Sequence, residues 1–258
     1  MDITLSLGKG IEENAGDYFE KAKKAKQKLD GVHEIIAITQ KKLERIDRVK
    51  EAAKSEKQMP KKEWYEKFRW MLTSEGNLVI GGRDATTNDI LIKKQMQPGD
   101  LVFHADIAGS PFCLLKAEKA TAQEKAEVAQ FCAINSKAFS LGLSSLDVYA
   151  VPPEQIGFSA PAGEYMKKGS FMINGRKENF TVTLDFAAGL LPDGRVMAAP
   201  LSAVQKHCTV FIKLKPGDKK KSDVVRKLQK EFGKTSAFAI TQEQVMSVLP
   251  PGNMSIVK

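Results

Sequence analysis

The chain has 258 residues, 42% hydrophobic and 28% charged, and its 40 Lys and Arg outnumber 31 Asp and Glu for a formal net charge of +9. That is the composition of a globular chain long enough to bury a sizeable core. No apolar run approaches the roughly 18 residues a bilayer span needs, and the first residues show no basic-then-apolar leader, so the sequence predicts a cytoplasmic protein without membrane contact. The three cysteines, Cys113, Cys132 and Cys208, are odd in number and in no metal-ligand spacing, which argues against a disulfide framework or a bound metal. The positive excess is uneven: residues 1–62 carry a net +4, residues 63–205 a net −2, and residues 206–234 a net +7.

Residues 11–53 read as a helix. Ile11, Ala15, Tyr18, Ala22, Ala25, Leu29, Val32, Ile36, Thr39, Leu43 and Ile46 recur at steps of three and four, a coiled-coil seam between Lys and Glu. Asp30-Gly31 would allow a helical hairpin, but the unbroken phase favours one long helix. Residues 1–5 read as a strand. A polar linker closes at Pro60. Strands are then predicted at Leu78–Ile80, Ile90–Ile92, Leu101–Phe103 and Phe112–Leu115, followed by a helix from Ala122 to Leu141 with Thr121 as its N-cap. A strand at Val148–Val151 precedes a loop over 157–169. Phe171–Ile173 and Phe180–Leu184 read as a hairpin about Asn174-Gly175. A strand at Val210–Ile212, a Lys-rich turn and helices near 222–232 and 241–249 complete the chain. Short turns between strands predict an α+β fold with a largely antiparallel sheet and packed helices, preceded by a coiled-coil arm.

Several groups carry chemistry. Gly81-Gly82-Arg83-Asp84-Ala85 follows a strand and fits either a phosphate-facing loop or a tight turn whose Arg and Asp pair with neighbours. It lacks the Gly-Lys-Ser/Thr ending of a nucleotide-hydrolysing loop. His104 and Asp106 fall on one face of a strand end, as part of a metal site lacking an obvious third ligand, as an acid/base pair or as a structural hydrogen bond. No Ser or Cys sits in a nucleophile context. Tyr165 lies among Lys167, Lys168, Arg176 and Lys177, cations beside an aromatic that suit backbone neutralisation with base stacking, although a solvated hairpin fits too. Lys219, Lys220 and Lys221, with Arg226, Lys227 and Lys230 at helical spacing, make the strongest basic run and point to a polyanion.

Seven separated motifs resemble, in order, the NFACT-R domain of the NFACT ribosome-quality-control proteins, a group often described as fibronectin-binding-like. They are Glu63-Trp-Tyr-Glu-Lys-Phe-Arg-Trp70, Leu78-Val-Ile-Gly-Gly-Arg-Asp-Ala85, Lys93-Lys94, Pro98-Gly-Asp100, Phe103-His-Ala-Asp106, Pro153-Glu-Gln155, and Gly163-Glu-Tyr165 through Gly169-Ser-Phe-Met-Ile173. Asn14-Ala15 with Tyr18-Phe19 resembles the returning arm of that family's coiled coil, and residues 181–258 an archaeal C-terminal extension. Ala150 and Gly157-Phe158 depart from the family pattern, at an aromatic and a Ser-Lys pair. The resemblance implies a coiled-coil arm and linker at 1–62, the NFACT-R domain at 63–180 and a basic extension at 181–258. It further implies an RNA-binding C-terminal portion, with no catalytic residues and no cofactor, that takes tRNA and large-subunit rRNA on a ribosome holding a stalled chain. Expected contacts are Arg83, His104, Lys116, Tyr165, Lys167, Lys168, Arg176 and Lys177, with Lys219, Lys220 and Lys221 as auxiliary phosphate binders and Asp84, Asp106 and Glu164 orienting the cations. The alternatives are a scaffold whose coiled coil self-associates or docks a protein partner, and a hydrolase or glycosylase built on His104 and Asp106.

Overall fold

The computed structural model describes residues 3–54, 58–159 and 166–257, the side chains of 44–54 excepted. Two compact units emerge, Met1–Glu56 and Lys57–Lys258.

The first unit is one helix, α1 (Ile11–Lys54), which runs through Gly31 unbroken. Its composition of Ala, Lys, Glu and Gln favours helix throughout. The described apolar residues along it stay open to solvent, Phe19 at 81%, Ile35 at 64% and Leu29 at 57%. The strand expected at residues 1–5 does not form over residues 3–5. There Tyr18 Oη hydrogen-bonds both the amide and the carbonyl of Thr4 (3.0 and 2.8 Å). Asn14 gathers the Ser6, Lys9 and Gly10 carbonyls with its Nδ2 and accepts from the Ser6 amide. Side chains of the helix thus engage the backbone of Thr4, Ser6, Lys9 and Gly10.

The second unit contains β1 (Arg69–Leu72), β2 (Leu78–Gly81), α2 (Ala85–Ile90), β3 (Leu101–His104), β4 (Cys113–Leu115), α3 (Ala122–Ile134), α4 (Lys137–Ser140) and β5 (Ser145–Val151). There follow β6 (Ile156–Gly157), β7 (Met172–Ile173), β8 (Glu178–Thr183), β9 (Phe186–Leu190), β10 (Val196–Ala199), α5 (Leu201–His207), β11 (Val210–Lys219), α6 (Lys221–Thr235), α7 (Gln242–Val248) and β12 (Met254–Ile256). The strands form a six-stranded sheet in the order β1-β2-β4-β3-β5-β8, a four-stranded sheet β10-β9-β11-β12, and the pair β6-β7. Every pairing is antiparallel, so the α+β class and the antiparallel sheet stand as the sequence predicts.

α3 lies across β3, β5 and β8, burying Val128, Ala129, Phe131 and Cys132. Its two buried acids, Glu124 and Glu127, fasten it to the β1–β2 turn. Glu124 accepts from Thr73 (2.8 Å) and Asn77 (2.6 Å), and Glu127 from the Ser74 amide (2.8 Å) and from Ser202 of α5 (2.6 Å). The two larger sheets meet where β1 touches β10.

Several expected elements of the second unit differ. Ile90–Ile92 is helical: Asp84 caps α2 through the Thr87 amide (2.8 Å), and a π-helical turn continues over 91–95 with Leu91 and Ile92 buried. The helix expected to reach Leu141 breaks at Asn135–Ser136, where Ser136 caps α4. The hairpin about Asn174-Gly175 is a bend without paired arms, because β7 pairs with β6 and β8 with β5. Strands β1, β9, β10 and β12 and helix α5 lie outside the elements read from sequence, and β11 continues through the Lys-rich segment to Lys219.

Candidate nucleic-acid interface

On one side of the six-stranded sheet the β2–α2 turn, the loop 105–111, the end of α3 and the segment 168–173 enclose a groove of about 560 Å³. Two close approaches build its walls. A Cβ on Gly82 would fall 1.7 Å from Asn88 Oδ1, the atom that accepts the Phe112 amide (3.2 Å). Gly169, at φ +75°, turns residues 167–170 against α2, where a Cβ would meet the Ala85 carbonyl oxygen at 2.4 Å. Both positions require glycine, which is how Gly81-Gly82 and Gly169-Ser170 act together as parts of one wall.

The floor is aromatic. His104 at the end of β3 stacks on Phe112 (centroids 4.2 Å apart, planes at 28°), and Phe171 meets Phe112 edge-on at 5.5 Å. Burial pushes the His104 imidazole down to about 4, with Asp106 only partly opposing it, so the ring is neutral at pH 7. Its Nδ1 lies 3.3 Å from Tyr149 Oη, which burial holds protonated well above the usual phenol range. Tyr149 precedes the departure at Ala150 on β5 and lines the groove, whereas Ala150 is not part of that lining. Over the Tyr149 ring, at 3.9 Å, sits Lys177 Nζ, which also pairs with the exposed carboxylate of Asp106 at 3.2 Å.

The groove is lined by Arg83, Asp84, His104, Asp106, Lys168 and Lys177. Arg83 borders it while its guanidinium donates to four carbonyls: Lys67 (3.1 Å), Ser247 (3.0 Å), Glu66 (3.1 Å) and Phe68 (3.0 Å). Asp84 caps α2, and the Thr87 amide holds its carboxyl below the usual range, with Lys168 assisting. The tight-turn alternative therefore describes the Gly-Gly-Arg-Asp segment. Lys167 is exposed on the turn beside Lys168, and Arg176 is exposed one residue before Lys177. Gln155 explains why Pro153-Glu-Gln155 accompanies these cations: with its amide nitrogen turned toward them, it donates to the Asn174 and Arg176 carbonyls (2.8 and 3.0 Å).

Other expected contacts sit elsewhere. Lys116 is not part of the groove lining; it is tied to Asp100 (2.6 Å) and the Gln95 carbonyl. Lys219 and Lys220 are exposed before α6. Lys221 is half-buried and donates to the Leu249 carbonyl (2.8 Å); burial beside Arg69 and Arg83 pushes its amine down to about 8. Glu164 and Tyr165 lie outside the described residues. Sequence reasoning missed Asn88, Phe112, Asn135 and Tyr149 as groove residues. The pattern of Phe103 to Asp106 marked the strand end, but nothing local marks the residue after α3. Among the described residues no group of three His, Cys, Asp or Glu is placed to hold a metal ion.

The geometry is that of a binding groove: neutral aromatic floor, cations at the rim, and acids engaged in capping or pairing. Residues 67–175 match the family model described as NFACT protein RNA binding domain, and the chain carries a domain of that family. Over 203 residues it is 40% identical to "Archaeal Rqc2 homolog aRqcH" of Methanocaldococcus jannaschii, covering 76% of this chain and 30% of that protein. It is 31% identical over 171 residues to "Ribosome quality control complex subunit NEMF" of Homo sapiens, covering 64% of this chain and 16% of that one. Against "Ribosome quality control complex subunit 2" of Schizosaccharomyces pombe it is 28% identical over 195 residues, covering 70% and 19%. The chain thus spans a third or less of the length of these curated relatives.

Proposed function

We propose that this chain is the RNA-binding portion of a cytoplasmic ribosome-quality-control factor, taking structured RNA, tRNA or large-subunit rRNA, at the groove between α2 and the 168–177 segment. The observation that carries the reading is the convergence of Lys168 and Lys177, from separate turns, on a groove floored by His104 and Phe112. Cations at a rim neutralise phosphate, and an aromatic floor suits bases. The family description and the relatives' names support the same reading. Lys167 and Arg176 beside the groove, with Lys219 and Lys220 on the C-terminal segment, extend the phosphate-contacting surface. The contacts bind RNA and do not catalyse. His104 is neutral and packed between rings, and the carboxylate of Asp106 is engaged by Lys177, which is poor support for an acid/base pair.

A titration of tRNA and rRNA fragments across salt tests this. Affinity should fall steeply as salt rises. Lys168→Glu and Lys177→Glu should each weaken binding about tenfold at low salt and flatten the salt slope. Unchanged affinity in both variants would place the interface elsewhere. A second role, protein docking or self-association through α1, is supported by the exposed Phe19, Leu29 and Ile35.

A further inference from the structure

Where β1, α6 and the end of α7 meet, three cations come together. Arg69 opens β1, Arg83 follows β2, and Lys221 is the first residue of α6. All three reach the same end of α7. Arg83 donates to the Ser247 carbonyl (3.0 Å), while Lys221 (2.8 Å) and Arg69 (3.4 Å) share the Leu249 carbonyl. The ion pairs among the described residues include none of the three. Asp84 acts on Arg83, but the charges bearing on Lys221 are the two arginines, which with burial bring its amine down to about 8. Burial and Arg83 likewise bring Arg69 down to about 10. The carbonyls of a helix end return only about half an elementary charge, so the cluster is short of negative charge.

Arg83 engages its guanidinium with four carbonyls and contributes charge alone. Arg69 and Lys221 keep donors free. Arg69 Nη1 makes one long bond, leaving Nε and Nη2, and Lys221 uses one of the three N–H groups of an ammonium. These donors reach solvent: among the described residues, the buried side-chain atoms left without a partner are Ser74 Oγ and Asn135 Oδ1. A guanidinium fork beside an ammonium suits a phosphate group, which has a further oxygen for Lys221 once the fork is filled; a carboxylate has none. Lys219 and Lys220, exposed just before Lys221, add attraction. The groove lining includes neither Arg69 nor Lys221.

We propose that Arg69 and Lys221, backed by the charge of Arg83, form a phosphate-binding site separate from the groove, filled by free phosphate or by a phosphodiester of bound RNA.

The test titrates the full chain, its lysine amines isotopically labelled, with sodium phosphate and, at equal ionic strength, with sodium chloride, while NMR follows Lys221. Phosphate should raise the proton affinity of Lys221 about tenfold beyond chloride, because a bound anion favours the ammonium, and should raise the melting temperature. Lys221→Gln, which keeps a donor for Leu249, should lose that thermal protection; full protection in the variant would overturn the site. Binding of tRNA is the second arm, with Lys206→Gln, which removes an exposed charge on α5, measuring what the loss of any cation does. A loss in Lys221→Gln several times that in Lys206→Gln assigns the site to an RNA phosphodiester. Equal losses, with the phosphate response intact, assign it to free phosphate. Should Lys221→Gln not fold, the Lys221 titration of the unaltered chain in phosphate and in tRNA decides. If Lys221 titrates in both as it does in chloride, the site is overturned, and the groove reading stands on its own Lys168 and Lys177 variants. If the chain binds no tRNA, the RNA reading falls and the phosphate arm still decides this site.

Discussion

Two residues of the groove illustrate how burial sets chemistry. Arg83 was singled out for its charge, and the structure uses that charge on its own backbone: one planar guanidinium gathers carbonyls from 66–68 and from Ser247, tying the first strand's approach to the C-terminal helices. His104 has the opposite character. The folded chain holds it neutral down to about pH 4, against about 6.5 when unfolded, so between these values the unfolded chain binds the extra proton. Its contribution is complete above pH 6.5 and is lost as the pH falls from 6.5 toward 4, a loss on the order of 3 kcal/mol at the lower end. Urea unfolding from pH 7 to pH 4 should show that decline, and His104→Gln should flatten it. Parallel curves for the two proteins would mean that His104 does not titrate this way. The cations of the site were readable from sequence because charge is a property of the residue. Asn135 was not, since an unsatisfied acceptor exists only after the helix end is buried.

At the scale of elements, the misread segments share a cause. Ile90-Leu91-Ile92 is a short apolar run, and such a run is consistent with a buried strand or a buried helical turn. What decides is Asp84, four residues before Asn88, with Thr87 returning its hydroxyl to the cap. Thr121 was legible as an N-cap because Glu124 completes a familiar box with it. With Thr in the reciprocal position at Asp84, the same device passed unread. Asp84→Ala should therefore cost about 1 kcal/mol of stability in a denaturant melt. RNA affinity should not fall, because an acid beside Lys168 is removed; a loss of affinity would make Asp84 an RNA contact. The misassigned hairpin has a similar origin. Asn174-Gly175 does bend the chain, with Gly175 at φ +84°, but β7 is two residues long and finds its partner in β6, held by the Asn174 amide on the Gln155 carbonyl (2.8 Å). Turn chemistry is local, whereas strand pairing is settled by which neighbours a residue can reach across the whole sheet.

At the scale of the molecule, the net charge of +9 divides between parts with different roles. Residues 206–234 lie largely on β11 and α6, where Val224, Val225, Leu228 and Phe232 face inward while Arg226, Lys227 and Lys230 stay exposed. That arrangement gives a solvated basic face able to attract any polyanion. The groove is different in kind: a few cations placed around an aromatic floor, in the part of the chain whose sequence is slightly acidic. In the function proposed above, general attraction and specific seating fall to separate surfaces. This division is tested most directly by photocrosslinking the chain to ribosomes and tRNA, then mapping both the attached RNA and the peptides that carry it. We expect the crosslinked peptides to concentrate at residues 104–112 and 166–177, with weaker, salt-sensitive crosslinks at 219–230. Crosslinks confined to α1 or to residues 219–230, with the groove peptides unmodified, would contradict the account.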